Sequence, residues 1–294
     1  MENALRAIGQ TLASLGRDDP RLLPSGKLDL RLQRQLKAYS KQDPSPARVK
    51  PIPFAIIAHA AHLCHLANTD HSRTVADMLI LGFYFLLRPG EYAYTDNPDS
   101  SPFRLCDVHL MRGPVRLNPY TATEFDLRSA TTAALEFSTQ KNGVRGELIG
   151  LNRSGDPRWC PVIALINRVL YLRLHRAHPT TPLYSYIHGS TWYAVPAAAL
   201  TTHLRTAATA LGLATGITAS DISARSLRAS GAMALLCAAV DTNIIRLLGR
   251  WRSDEMLRYL HVQAIPIVAP LATQMLHHGN YAFLPNHRLP LMGH

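Results

Sequence analysis

Lysine is nearly missing from this chain. Of its 31 basic residues only five are lysines; four of these lie in residues 1–50, and Lys141 is the single one beyond. Cysteine is also sparse. Cys64, Cys106, Cys160 and Cys237 stand far apart with no CxxC pair, which excludes a zinc ribbon and a disulfide scaffold and fits a reducing compartment. There is no long apolar run: "MLILGFYFLL" (78–87) is about half of what a bilayer span needs and stops at Arg88. The polar start, with Glu2, does not read as a signal peptide, so a soluble intracellular protein is expected. Acidic residues are few as well, 20 against 31 basic, and the pI is near 9.8. That balance makes a polyanion the expected partner, with nucleic acid ahead of an acidic membrane surface.

What is present is enough for a packed domain: 294 residues, 47% of them hydrophobic. Residues 1 to about 50 read differently from the rest, with a helical stretch around "LDLRLQRQLKAYSK" and then the proline-spaced "QDPSPARVKPIP", a linker or boundary. From Pro51 the pattern is mainly helical. "FAIIAHAAHLCHLA" and "TVADMLILGFYFLL" are apolar helices by periodicity, and Pro89 opens a short new helix with Glu91 in its first turn. β character follows: "LCDVHLM" (105–111) alternates weakly, and "ALEFSTQKNGVRGELIGL" (134–151) reads as a hairpin turning at Asn142-Gly143. Helices resume at "CPVIALINRVLYLRLHRAH" and at 194–211, 226–239, 242–248 and 253–260. Asp241 and Ser253 are N-caps of the last two and Gly249 is a C-terminal stop.

Several residues carry possible chemistry. In a chain this rich in arginine, a lone lysine on a hairpin turn invites a reason specific to lysine: an ammonium can donate a proton near neutral pH and a guanidinium cannot. The bland alternative, a survivor of arginine-favouring codon usage, has equal weight. Arg225 and Arg228 in "RSLR" lie three apart at a helix start and share a face. Arg88 sits where an apolar helix is broken by proline, and arginine forks suit phosphate oxygens. His59, His62 and His65, with Cys64 alongside, have helical spacing, but they spread over too much of the helix and lack a fourth ligand, so no metal is assigned. No glycine-rich nucleotide loop is present.

"ISARSLRASGAMALLCAAVDTNIIRLLGRWRSDEMLRYLH" (222–261) resembles the C-terminal signature of the tyrosine recombinase (phage integrase) family, most closely the branch found in eukaryotic mobile elements. The likeness covers roughly 51–265 and keeps the order Arg88 in "RPGE", Lys141 on a hairpin turn, the R-x-x-R pair 225/228, then Tyr259. It implies a mainly α fold with a small antiparallel β-sheet (α+β). Residues 1–50 would be a partial core-binding-like segment with its linker, and 51–294 the catalytic domain and its tail. It further implies a site-specific DNA recombinase or integrase that needs neither metal nor ATP. Tyr259 attacks a DNA phosphate to give a 3′-phosphotyrosyl link; Arg88 and Arg228 clamp the non-bridging oxygens, with Arg225 and Trp251 as further catalytic residues; Lys141 protonates the leaving 5′-oxygen. Arg250, Arg252 and Arg258 would contact DNA, with Glu91 and His261 in support.

Two positions depart from the family pattern. Arg225 stands where many members have histidine, so the group that deprotonates Tyr259 is open, with His261 one choice. The His/Trp position after the glycine falls on Arg250 by strict spacing or on Trp251 with a shift of one, Trp251 being favoured. The expected partners are double-stranded DNA and three further copies of the chain in a tetramer on DNA, with no membrane, and the nucleus is the site of action in a eukaryotic host. The alternatives are a non-catalytic DNA-binding derivative and a related tyrosine topoisomerase or resolvase.

Overall fold

A computed structural model describes residues 2–42, 50–137, 146–212, 217–251, 265–269 and 273–275. The chain forms two compact units, 1–48 and 49–294. The first holds helices α1 (Glu2–Ser14) and α2 (Leu30–Gln42). Asp29 opens α2, its Oδ1 accepting from the Arg31 backbone N–H at 2.7 Å.

The second unit is mainly helical with a small antiparallel sheet, as the sequence pattern predicts. Its helices are α3 (Phe54–Ala67), α4 (Asp70–Tyr84), α5 (Pro89–Tyr92), α6 (Glu124–Arg128), α7 (Pro161–Leu174), α8 (Ala197–Leu211), α9 (Ser226–Cys237), α10 (Thr242–Leu248) and the short α11 (Ile265–Val268). Local chemistry sets several starts. Thr69 and Ser72 cap α4 reciprocally, at 3.0 and 2.9 Å. Pro161 takes the first position of α7, and Asp241 Oδ1 accepts from Asn243 N–H at 2.7 Å to open α10.

Strands β1 (Val108–Arg112), β2 (Val115–Leu117), β3 (Thr132–Phe137) and β4 (Glu147–Asn152) form one sheet in the order β2-β1-β3-β4. The hairpin expected at 134–151 is the β3–β4 pair, its register running from Thr132↔Asn152 to Phe137↔Glu147. Its turn, with Asn142, Gly143 and Lys141, lies outside the described residues. A second pair, β5 (Ser185–His188) with β6 (Thr191–Ala194), has no counterpart in the sequence reading.

α4 is the centre of the unit. From Val75 to Leu81 every residue is buried, and the helix packs between α3, α7 and α9. Each such buried Val, Leu or Ile is worth about 1.5–3 kcal/mol. Arg168 of α7 is also fully buried. Its guanidinium donates to Thr74 Oγ1 of α4 (2.8 Å) and to the carbonyls of Leu183 (2.8 Å) and Ser185 (2.5 Å), so one side chain ties α7 to α4 and to β5. No helix among the described residues is long and apolar enough to cross a membrane.

Candidate functional site

The arginines singled out in the sequence meet because α4 and α9 cross closely. Gly231 of α9 lies on the end of α4: a Cβ there would overlap the Phe83 carbonyl and the Leu86 side chain. Gly82 makes the matching approach, against Leu227 and the Tyr92 ring. With no side chains between them, the end of α4 and the first turn of α9 come together, and so do Arg88 and the 225/228 pair. The Tyr92 hydroxyl adds a tether, donating to the Ala224 carbonyl at 2.7 Å, one residue before Arg225.

Arg88 has extended backbone and Pro89 starts α5 behind it. Glu91, in the first turn of α5, reaches back: its Oε2 accepts from the Arg88 backbone N–H at 2.7 Å and its Oε1 from Arg88 Nη1 at 3.1 Å. The side chain of Arg88 remains about one-third exposed. Arg225 is exposed at the start of α9. Both line a cleft of about 260 Å³ together with Glu91 and the 95–101 loop, which brings Thr95, Asn97, Asp99, Ser100 and Ser101. Thr95 and Ser100 hydroxyls join at 2.6 Å and hold that loop closed on itself. Two guanidinium groups with hydroxyls and an amide can receive an oxyanion such as a phosphodiester, although the carboxylates of Glu91, which Arg88 already pairs, and Asp99 share the lining.

Arg228 and Trp251 lie deeper. Arg228 is buried, donating to the Leu86 carbonyl at 2.5 Å and to the Gly249 carbonyl, and its guanidinium sits 4.2 Å from the Trp251 ring centre. Trp251 is only 8% exposed and belongs to a small apolar cluster with Leu86, Ala232, Met233 and Ile245.

Arg250 corrects an expectation. As a DNA contact it should be at the surface, yet its side chain is 2% exposed. It donates to the carbonyls of Phe85 (3.2 Å), Leu86 (3.2 Å) and Leu248 (3.1 Å) and to Glu91 Oε2 (3.0 Å), over the Phe137 ring at 3.9 Å. Burial pulls its pKa down to about 10 against the opposing pull of Glu91, which leaves it a cation at neutral pH. Gly249 is the C-terminal stop of α10, as expected, though not through a left-handed backbone of its own. Its φ is −78°, and the left-handed residue is Arg250 at φ 57°. Glycine is needed at 249 for room: a Cβ there would enter the Trp251 ring.

Lys141, Arg252, Arg258, Tyr259 and His261 lie outside the described residues, as does the Ser253 cap of the helix expected at 253–260. Among the described residues no group of three or more His, Cys, Asp or Glu is placed to hold a metal ion. In α3, His62 and His65 are exposed. Cys64 faces inward, 3.5 Å from His203 Nδ1, with burial pushing its thiol up to about 11.

A larger cavity, about 630 Å³, opens beside α4 and α7. Its four arginines all have partners: Arg73 with Asp70 (2.9 Å), Arg128 with Glu124 (2.7 Å), Arg173 with the Ala122 carbonyl (2.8 Å) and Arg168 with the groups above.

Sequence reasoning missed the 95–101 loop, Tyr92 and Phe137. The Asn-Pro-Asp-Ser-Ser run marks a turn, but nothing in it signals that the turn closes beside Arg225. No protein-family model matches this chain, and a search of curated proteins finds no significant match.

Proposed function

We propose that this protein breaks and rejoins double-stranded DNA through a phosphotyrosyl intermediate, as a site-specific recombinase or integrase with a tyrosine-recombinase-like catalytic domain. The observation that carries the reading is the cleft that Arg88 and Arg225, far apart in sequence, line together with the hydroxyls of the 95–101 loop and the carboxylates of Glu91 and Asp99, with Arg228 one turn further along α9. The order of residues in the chain and the strongly basic balance support it.

In this reading the phosphodiester sits against Arg88 and Arg225, whose forks neutralise charge on its non-bridging oxygens as the transition state forms. The Tyr259 hydroxyl gives its proton to a base, His261 being one choice, as its oxygen attacks phosphorus. A Tyr–O–P bond forms, the P–O5′ bond breaks, and the departing 5′-oxygen takes a proton from Lys141. Attack by a second 5′-hydroxyl reverses these events and joins the new strand, so no external energy source is consumed. Two duplexes must be held together for that exchange, which calls for several copies of the chain, four in the proposed assembly.

The test is covalent trapping. Wild type and Tyr259→Phe are incubated with nicked duplexes covering the DNA that flanks the gene, then separated under denaturing conditions. An adduct in wild type alone is the expected result; an adduct that survives in Tyr259→Phe refutes the reading. One observation favours a second reading, DNA binding without cleavage: Arg228 and Arg250 spend donors on backbone carbonyls. DNA retention by both proteins with no adduct from either is the outcome that reading expects.

A further inference from the structure

We infer that Arg250 is a positioning residue, a buried cation that shares the Glu91 carboxylate with Arg88 and thereby leaves Arg88 free to face the cleft. The inference rests on the strand-exchange reading above for its functional consequence. Its geometry stands independently.

Glu91 is a single carboxylate between two guanidinium groups. Its Oε2 accepts from Arg250 Nη2 at 3.0 Å on the buried side, and its Oε1 from Arg88 Nη1 at 3.1 Å on the cleft side. A carboxylate so placed, with a side chain only 10% exposed, needs compensating charge. Arg250 supplies much of it from below. Without Arg250, Arg88 would be the one remaining guanidinium in contact with Glu91, and the pair would close on itself. Donors now available to a ligand would turn onto the carboxylate.

The site also retains features that packing alone does not explain. The left-handed backbone of Arg250 (φ 57°) ends α10, with Arg250 N–H on the Leu247 carbonyl and Trp251 N–H on the Arg246 carbonyl, and sets the direction in which its side chain leaves the helix. Its Nε is buried with no hydrogen-bond partner. An apolar side chain of similar length would cover the Phe137 ring without leaving that donor unpaired. A guanidinium fits here because it can bond three carbonyls and a carboxylate at once. The carbonyls of Phe85 and Leu86 belong to the segment leading to Arg88, so Arg250 fixes both the backbone approach to Arg88 and the carboxylate that restrains its side chain.

The experiment uses the full chain as wild type, Arg250→Lys, Arg250→Met and the double variant Glu91→Gln/Arg250→Met, which removes both buried charges and so keeps a foldable core. Phenylglyoxal modification of each arginine is followed by peptide mass spectrometry, with exposed Arg225 as internal reference. In Arg250→Met, Arg88 modification should fall severalfold relative to Arg225. In the double variant, where no carboxylate holds Arg88, it should rise above wild type. Unchanged Arg88 modification in both overturns the inference, whether or not the protein cleaves DNA.

On the nicked duplex that traps wild type, Arg250→Met should form adduct about 10- to 100-fold more slowly in single turnover, the scale of a misplaced catalytic group, with unchanged DNA affinity. Arg250→Lys should recover part of that loss because it keeps the charge. Weakened DNA binding with a shallower salt dependence would instead make Arg250 a phosphate contact and sink the proposal. If wild type forms no adduct, the strand-exchange reading fails, and the modification pattern still decides what Arg250 does.

Discussion

Replacing Gly231 by alanine is the most direct probe of how the arginines are brought together. On helix propensity alone the substitution should stabilise α9 by about 1 kcal/mol. The crossing with α4 opposes this. The new Cβ meets the Phe83 carbonyl, a backbone atom that cannot step aside as a side-chain end can, and the Leu86 methyl as well. Overpacking in a core costs typically about 1–3 kcal/mol, and a backbone obstacle belongs at the upper end. The net expectation is a loss of about 2 kcal/mol, or roughly 4–8 °C in Tm for a unit of this size. Thermal and urea unfolding should both report it. Gly150→Ala is the control, because the Cβ there makes only ordinary contacts, with the Ala134 methyl (3.6 Å), the Thr132 methyl (3.8 Å) and the Ala133 carbonyl (3.9 Å); it should fall within about 0.5 kcal/mol of wild type. Separation of α4 and α9 would also move Arg228 away from the Leu86 carbonyl it now binds, so function should suffer beyond the fraction unfolded. A Gly231→Ala protein with unchanged or raised Tm would show that the helix crossing does not set the position of the 225/228 pair.

Further outcomes follow from the same geometry. Burial raises the carboxyl of Asp77 to about 7, against the partial pull of Arg168. Because the folded-state pKa lies above the unfolded one, the folded protein binds the extra proton, and stability is lost as pH rises from about 4 to about 7, at most roughly 4 kcal/mol. Asp77→Asn should therefore flatten the Tm profile between pH 5 and pH 8 and raise Tm at the alkaline end; an unaltered profile refutes the assignment. Arg168→Met removes the donors serving Thr74 and the carbonyls of Leu183 and Ser185, and should cost about 3–5 kcal/mol in urea unfolding, with non-additivity when combined with Asp77→Asn. Exposed Arg225, replaced by alanine, should weaken DNA binding and reduce the slope of log affinity against log salt by about one; an unchanged slope means that it touches no phosphate.

Much of the architecture is written locally. The apolar periodicity of α3, α4 and α7, the Asp241 cap, Pro161 and Pro89 at helix starts, and the β character at 134–151 are each decided within a few residues, and each element lies where its pattern puts it. The β5–β6 hairpin was legible by the same rule: "SYIHGSTWYA" alternates around Gly189, which has φ 64°. It goes unread beside the stronger Asn-Gly signal. Gly249 shows the limit of such rules. A glycine after a helix ordinarily signals a left-handed stop, but here it makes room for the ring of Trp251, a constraint visible only when the chain has folded back.

The candidate site divides along the same line. Residue type and spacing single out Arg88 and the 225/228 pair, since a proline-broken helix end and an R-x-x-R at a helix start are local facts. Their separate depths are not local. Arg225 and Arg228 share a helix face by spacing, yet Arg225 is exposed at the cleft and Arg228 is buried, because Gly231 draws the inner side of α9 onto Leu86. Arg250 carries this furthest. The two arginines of "GRWR" and Arg246 just before it look alike as charge, and charge alone assigns Arg250 to DNA. What reverses the assignment is distant in sequence: the carboxylate of Glu91, the carbonyls that end α4 and the ring of Phe137 surround it on the inside of the fold. An arginine placed inward still reaches the cleft, through the carboxylate it shares with Arg88.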